Sequence, residues 1–165
     1  QKGIDVLVEA FNHLDCTNAE LAVYGHCDPD SRGFREIQAK VNGGTTSIKG
    51  MAMDVRNVYS EADVVVIPSI CYEVASLVLL EAAITRTPVI ASKVGSLIEH
   101  VRQKRLGLLF EVGNHDDLAE KMRLLSGNPK VLDSLTAGIV EHVKSMEEQA
   151  QEFSEIYRRI ALNSS

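Results

Sequence analysis

The sequence predicts an α/β fold in which a doubly wound parallel sheet is flanked by helices. Two patterns indicate this fold. Segments with apolar residues at helical spacing alternate with short β-branched segments along the whole chain. Residues 62–68, ADVVVIP, are nearly continuous aliphatic sequence, as expected for a central parallel strand covered on both faces. The 165 residues are enough for one domain with a sizeable core.

The first half of the chain predicts three helices and two strands before the central strand. In order, these are a helix with apolar residues from Ile4 to Leu14, a strand at 21–24, a helix stopped by 42–44 (NGG), a strand at 45–49, and a short helix near Tyr59. A doubly wound fold normally begins on a strand. We therefore expect its first strand to precede residue 1.

The second half predicts five further helices and two strands. A helix follows Glu73, and then come a strand at 88–91, a helix with Leu97 and Val101, a strand at 107–111, and a helix that begins at Asn114. Pro129 starts a helix predicted to reach about Val143. A capping-box pattern at Ser145 and Glu148 precedes a final helix with a predicted inward face of Phe153, Ile156, Tyr157 and Ile160.

Composition and charge narrow the function classes. The chain is 45% hydrophobic and 24% charged, which is typical of a soluble globular protein, and its net charge of −6 argues against nucleic-acid binding. Three cysteines, an odd number, indicate reduced thiols, and no apolar run approaches membrane-spanning length. We expect a cytoplasmic protein.

Two carboxylates mark the most informative stretch, residues 68–83 (PSICYEVASLVLLEAA). Glu73 follows the central strand and Glu81 lies in the next helix, so both can face the crevice where doubly wound sheets bind ligands. A charge at Glu81, within LVLLEAAI, is costly unless it is hydrogen-bonded, and ribose hydroxyls are suitable partners. Alternatively, Glu81 faces solvent or caps a neighbouring loop, and Glu73 belongs to an ordinary surface loop.

Other residues suit contacts with an anionic ligand. Val74, Ala75 and Ser76 are small enough to let a phosphate approach free N–H groups at a helix start, although small residues are common there. Lys2 and Gly3 place a cation at another helix start, and His26 follows a strand-ending Gly25. The histidines on helices or their starts lack acidic or cysteine partners at ligand spacing, so the sequence predicts no metal site; they are His13, His100, His115 and His142.

The order of these segments resembles the carboxyl-terminal, donor-binding domain of the retaining nucleotide-sugar glycosyltransferases of family 4. Those enzymes have the GT-B architecture of two Rossmann-like domains. The resemblance covers nearly the whole chain and rests on KGIDVLVEAF, LAVYG, IKG, YSEADVVVIPS, the spacing of Glu73 and Glu81, EAAITRTPVIAS, VGSLIEHV and GLLFEVGNHDDLAEKM. It implies that residues 1–165 form the nucleotide-sugar-binding domain, without its first strand and without the amino-terminal acceptor domain.

The resemblance also implies a role for each matching residue. Lys2 would meet the donor diphosphate, Glu81 would accept from the ribose hydroxyls, and Glu73, the implied catalytic residue, would contact hydroxyls of the transferred sugar. The remaining implied donor contacts are the phosphate turn of Val74, Ala75, Ser76 and Leu77, the base edge of Ile48 and Lys49, and the loop of Gly25 and His26. No metal or cofactor is implied, because the donor substrate is itself a nucleoside diphosphate sugar.

Three departures from the family pattern concern the turns. Ser76 stands where the family usually has glycine, Ala75 where it has an aromatic residue, and Ser96 where a second glycine is usual.

The resemblance implies a full-length enzyme that transfers a hexose to an acceptor hydroxyl with retention and without a metal. Residues 1–165 alone would transfer nothing. Any peripheral association with the cytoplasmic membrane face would involve the amino-terminal domain. The alternatives are a GT-B sugar-nucleotide epimerase or glycan phosphorylase, and a non-catalytic interaction domain.

Overall fold

The computed structural model describes residues 2–14, 18–26, 28–41, 45–74, 76–103, 105–139 and 146–163. The strands are β1 (Leu21–Tyr24), β2 (Thr46–Lys49), β3 (Val65–Ile67), β4 (Val89–Ser92) and β5 (Gly107–Phe110). The helices are α1 (Ile4–Asn12), α2 (Arg32–Lys40), α3 (Val55–Glu61), α4 (Leu77–Ile84), α5 (Ser96–Gln103), α6 (His115–Ser126), α7 (Pro129–Gly138) and α8 (Met146–Asn163). Strand and helix alternate from α1 to α6, as the sequence predicts.

All the described strand pairs are parallel, which confirms the α/β fold class. They form two sheets, one with the order β1-β2 and the other with the order β3-β4-β5. In the first sheet Leu21 is in register with Thr46, and in the second Val65 is in register with Val89. Parallel strands need crossover connections, and helices supply them throughout.

The core consists of two clusters of buried apolar side chains. One joins α1, β1 and α6 and includes the fully buried Val8, Phe110 and Leu118. The other joins α3, α4, β4 and α5 and includes Leu79 and Leu97. Full burial of such a side chain contributes about 1.5–3 kcal/mol, so the two clusters stabilise the strand ends that carry the candidate site.

The central strand is shorter than predicted. β3 has three residues, and Val65 and Val66 are only half-buried, so the expectation of complete coverage on both faces does not hold within the described part of the chain. The β-branched run predicts extended backbone, but how well that backbone is covered depends on the elements that pack around it.

Two predictions at the carboxyl end are wrong. The helix from Pro129 ends at Gly138, because Ile139 has extended backbone with ψ of 114°; glycine weakens a helix and commonly marks its end. In α8 the predicted inward residues Phe153, Ile156 and Tyr157 are exposed. Helical spacing predicts which side chains share a face, and the presence of a covering partner is a separate matter.

Some predicted features lie outside the described residues: the 42–44 terminator, Ser145 of the capping box, and the side chain of Ile160. Over the described part of the chain, no helix has the length and apolar character required to cross a bilayer.

Candidate functional site

Gly3 brings the start of α1 against the end of β3. Its φ of 67° is in the left-handed region, and a Cβ at this position would lie 1.9 Å from the Pro68 carbonyl oxygen. Only glycine tolerates both conditions. The close approach places Lys2 beside the loop after β3, where its Nζ donates to Glu73 Oε1 at 2.6 Å.

Glu73 is a well-buried carboxylate held by hydrogen bonds. Its side chain is 10% exposed, and Oε1 accepts from Lys2 and from Ser69 Oγ, the latter at 2.5 Å. Burial raises the pKa of Glu73, but the hydrogen bonds from Lys2 and Ser69 outweigh it and hold that pKa below its ordinary value. The hydrogen bond to Glu73 in turn raises the pKa of Lys2. The pair is therefore charged at neutral pH.

The turn between β4 and α5 holds the Glu73 backbone. The Glu73 carbonyl accepts from Ser96 Oγ at 2.9 Å and from the Ser96 amide at 3.2 Å. Gly95 has a φ of 54°, and a Cβ there would approach the same carbonyl to 2.7 Å. Behind it, the buried Ser92 donates to the Ser69 carbonyl at 2.6 Å. These bonds orient the carboxylate from both sides.

Sequence reasoning missed Ser69 and treated Ser96 only as a departure from the family pattern. Their positions in the sequence could have indicated a role, because Ser69 and Ser92 lie at or just beyond the carboxyl ends of neighbouring parallel strands. Such positions commonly face a ligand crevice.

A cavity of about 310 Å³ lies beside Lys2, at the carboxyl end of β1. It gathers four of the predicted donor-binding residues, which are Lys2, Gly25, His26 and Ile48. Apolar side chains complete much of the wall, including Val23, Phe34 and Ile37. The volume is at the lower end of the range for small-molecule pockets.

The other predicted donor residues do not line this cavity. Lys49 ends β2 opposite Tyr24 and is exposed. Ser76 is buried at the start of α4, where its Oγ caps the helix by accepting from the Leu79 amide at 3.4 Å. Val74 and Leu77 are strongly exposed, and Ala75 lies outside the described residues. The first amides of α4 have no intrahelical acceptors and carry the positive end of the helix dipole.

Glu81 has a partner that the sequence did not predict. The hydroxyl of Tyr59, on α3, donates to Glu81 Oε2 at 2.7 Å. Tyr59 is buried, and burial followed by the hydrogen bond to Glu81 raises its pKa far above the ordinary value, so the hydroxyl remains a donor. The half-buried Glu81 is thus hydrogen-bonded on one oxygen. The nearest sequence signal was the tyrosine of YSEAD, whose hydroxyl needs a partner when buried.

A larger cavity, of about 440 Å³, lies where α5, β5 and α7 meet. Arg102 and Arg105 are among its lining residues, and none of the described residues predicted to bind the donor contributes to it. Cavity size therefore does not identify the candidate donor site. The smaller cavity is the better candidate, because the predicted donor residues Lys2, His26 and Ile48 line it.

The expectation that the helical histidines lack acidic partners is wrong for two of them. Nδ1 of His13 lies 3.7 Å from Asp116 Oδ1, and Nδ1 of His115 lies 3.3 Å from the same oxygen. The two rings meet edge to face with their centroids 5.3 Å apart. Sequence spacing could not reveal the contact of His13, because His13 directly follows α1 and Asp116 lies in the first turn of α6; His115 directly precedes Asp116 in the sequence.

The comparison with protein families decides the broader identity. Residues 1–128 match the family model described as Glycosyl transferases group 1. The chain belongs to this glycosyltransferase family. Among curated relatives, it is 35% identical over 133 residues to an uncharacterized glycosyltransferase of Methanocaldococcus jannaschii, covering 72% of this chain and 31% of that protein. It is 38% identical over 100 residues to a D-inositol 3-phosphate glycosyltransferase of Nocardioides sp., covering 59% of this chain and 22% of the relative.

Solved glycosyltransferase structures share the fold. A glycosyltransferase from Rickettsia africae superposes with a TM-score of 0.80 at 22% identity, covering 97% of this chain and 45% of that one. Sucrose-phosphate synthase from Thermosynechococcus elongatus gives 0.72 at 28% identity, covering 99% and 43%. Anabaena HepE, solved in complex with UDP, gives 0.76 at 19% identity, covering 83% and 39%. The Rossmann-like fold is that of one half of a GT-B enzyme, and this glycosyltransferase chain spans less than half of each protein named.

Proposed function

We propose that this chain is the donor-binding, carboxyl-terminal half of a retaining, metal-independent glycosyltransferase that moves a sugar from a nucleoside diphosphate sugar to an acceptor hydroxyl. One observation carries the proposal. Lys2 bridges two regions, because it donates to Glu73 and also lines the cavity with Gly25, His26 and Ile48. The residues assigned to the phosphate, the sugar and the base are thus neighbours, although they come from distant parts of the sequence.

In this account the cavity at the end of β1 receives the base. Val23, Phe34, Ile37 and Ile48 provide apolar wall. Backbone and side-chain groups of the loop at Gly25 and His26 supply polar contacts, and Lys49 flanks the pocket from the end of β2. A nearly planar heterocycle suits such a wall, since ligand pockets are mostly apolar with few polar groups that orient the ligand.

The diphosphate would lie between Lys2 and the amino end of α4. The ammonium of Lys2 has three donor positions, so it can retain Glu73 and still bind a phosphate oxygen. Its side chain is 70% exposed and therefore accessible to a ligand. Val74, Ser76 and Leu77 contribute amides at or before the helix start, where the dipole favours negative charge. Ala75, which the resemblance assigns to the same turn, lies outside the described residues. Fixed donors of this kind stabilise the leaving diphosphate and remove the need for a metal at this position.

The two carboxylates take different parts. Glu81 uses the oxygen that Tyr59 does not occupy to accept from the ribose hydroxyls, so Tyr59 positions it. Glu73, held by Lys2, Ser69 and the β4–α5 turn, accepts from hydroxyls of the transferred sugar. Its lowered pKa keeps it an acceptor throughout the physiological range. No residue of the chain is assigned as a general base, and the leaving phosphate deprotonates the acceptor hydroxyl.

The rest of the enzyme would complete both the sheet and the cleft. In the described residues β1 pairs only with β2 and β3 only with β4, so one further strand between β1 and β3 would join the two sheets. The exposed Phe153, Ile156 and Tyr157 of α8 offer an apolar face to a second domain. We propose that this strand is the first strand of the donor-binding domain itself, and that the acceptor domain of the same protein covers the apolar face of α8. We also propose that the enzyme works in the cytoplasm, with any membrane association through the acceptor domain.

The division of roles is tested in the full-length enzyme with Glu73→Gln and Glu81→Gln, using the exposed Glu61→Gln of α3 as the control. Glu81→Gln is expected to weaken nucleotide binding about 10-fold or more, since a hydrogen bond to a charged group contributes about 1.5–3 kcal/mol. Glu73→Gln is expected to lower turnover with little change in nucleotide affinity. Equal effects of the two substitutions on both quantities would refute this assignment.

A further inference from the structure

Three metal-ligating side chains meet where the end of α1 packs on the start of α6. They are His13, His115 and Asp116, and one ligand atom from each lies within 4.8 Å of the other two. None of the three lines the cavity beside Lys2. We propose that they bind a divalent transition-metal ion of the zinc class, in a site that is separate from sugar transfer.

The separations suit tetrahedral coordination. Zinc binds imidazole nitrogen at about 2.0–2.1 Å and carboxylate oxygen at about 2.0–2.2 Å, so neighbouring ligand atoms in a tetrahedron are roughly 3.3–3.5 Å apart. Asp116 Oδ1 lies 3.3 Å from His115 Nδ1 and 3.7 Å from His13 Nδ1. The imidazole of His13 is 54% exposed, so it can rotate to bring its nitrogen closer to the other two ligand atoms. Water completes the fourth position.

His115 carries the second observation. Its Nδ1 is shielded from solvent and has no hydrogen-bond partner among the described residues. Leaving such a group unsatisfied is costly. The oxygen of Asp116 is close to this nitrogen but forms no hydrogen bond with it, whereas a metal ion between them would use a lone pair on each atom.

The backbones that carry the ligands are already held in place. The side chain of Asn114 accepts from the amides of Asp116 and Asp117 at 3.1 and 3.0 Å, which fixes the first turn of α6. Arg123, two turns further along, donates to the His13 carbonyl at 3.2 Å and fixes the end of α1. Metal binding therefore requires mainly side-chain rotation.

The donor set indicates which ions fit. Two imidazoles and one carboxylate suit zinc, cobalt, nickel or copper, whereas magnesium and calcium prefer sites made of oxygen atoms. Because the ligands come from two helices, an ion would link α1 to α6. Saturating zinc should then raise the Tm by about 5–10 °C at a hundredfold excess over its Kd.

Cobalt titration of the untagged 165-residue chain tests the proposal, because tetrahedral cobalt absorbs strongly in the visible region and zinc displaces it. His13→Gln and Asp116→Asn are the test variants; both side chains are more than half exposed, so folding should survive, and circular dichroism checks this. His100→Gln, on α5, is the matched control.

The proposal expects one tetrahedral cobalt per chain in the parent protein and in His100→Gln, with binding weakened at least about 10-fold in the two test variants. Absence of tetrahedral cobalt from the parent protein would overturn it, as would unchanged affinity in His13→Gln. Nucleotide affinity measured in EDTA should be the same in the parent protein and in the two test variants. Failure of the metal-site proposal is therefore distinguishable from failure of the proposed glycosyltransferase function.

Discussion

Substitution of Gly3 by alanine should destabilise the protein through two separable effects. The left-handed φ of 67° costs an L-residue about 1–2 kcal/mol. The added Cβ would also lie 1.9 Å from the Pro68 carbonyl oxygen, and contacts below 3.0 Å are essentially never seen, so the backbone must shift by about 1 Å. Adding a typical overpacking cost of about 1–3 kcal/mol gives an expected loss of about 2–5 kcal/mol.

Gly113→Ala is the matched control. Gly113 has a similar φ of 73°, but a Cβ there would meet nothing within 4 Å. It should lose only the conformational cost, and the unfolded-state effect of replacing glycine is the same in both variants. The chain has no tryptophan, so urea unfolding is best followed by circular dichroism. If Gly3→Ala lost no more stability than Gly113→Ala, the close approach that places Lys2 beside Glu73 would be refuted.

Three further predictions concern single side chains. The folded-state pKa of Glu73 is lowered, so its ionised carboxylate contributes stability above pH 4.5, and this contribution is lost as the pH falls through the folded-state pKa. The difference in unfolding free energy between the parent and Glu73→Gln should therefore shrink below pH 4.5. A difference that stays constant with pH would contradict the lowered pKa. Tyr59→Phe removes a hydrogen bond to a carboxylate and should cost about 1.5–3 kcal/mol in urea unfolding, whereas Tyr157→Phe, on the exposed face of α8, should be nearly neutral. Asn114→Ala removes a cap with two amide donors and should lower the Tm by an amount corresponding to about 0.5–2 kcal/mol, while Asn128→Ala, whose side chain makes no capping bond, should lower it less.

Local pattern was sufficient to predict most of the elements. The five predicted strands lie within a few residues of those in the structure, because short apolar, β-branched runs and their glycine or proline boundaries are properties of neighbouring residues. The same reasoning failed for α8, where periodicity marked an apolar face but could not tell whether anything covers it. The end of α7 was misplaced: the prediction extended the helix to about Val143, past Gly138, where the structure ends it.

The candidate site was only partly predictable, for a related reason. Residue type and position indicated Glu73 and Glu81, but their partners depend on tertiary packing: Lys2 is 71 positions from Glu73, and Tyr59 is 22 positions from Glu81. Without an alignment or a fold, no spacing rule connects such residues. The histidine–aspartate cluster is the extreme case, since its members belong to helices that meet only in the folded chain.

Calorimetric titration of the full-length protein with UDP, GDP and ADP in EDTA tests whether this domain is the donor site. We expect one nucleotide to bind with 1:1 stoichiometry. We also expect Lys2→Met to weaken this binding about 10–100-fold, while Lys130→Met, at an exposed lysine on α7, leaves it unchanged. Absence of binding by all three nucleotides, or equal affinity in Lys2→Met and the parent protein, would contradict the assignment of this domain as the donor site.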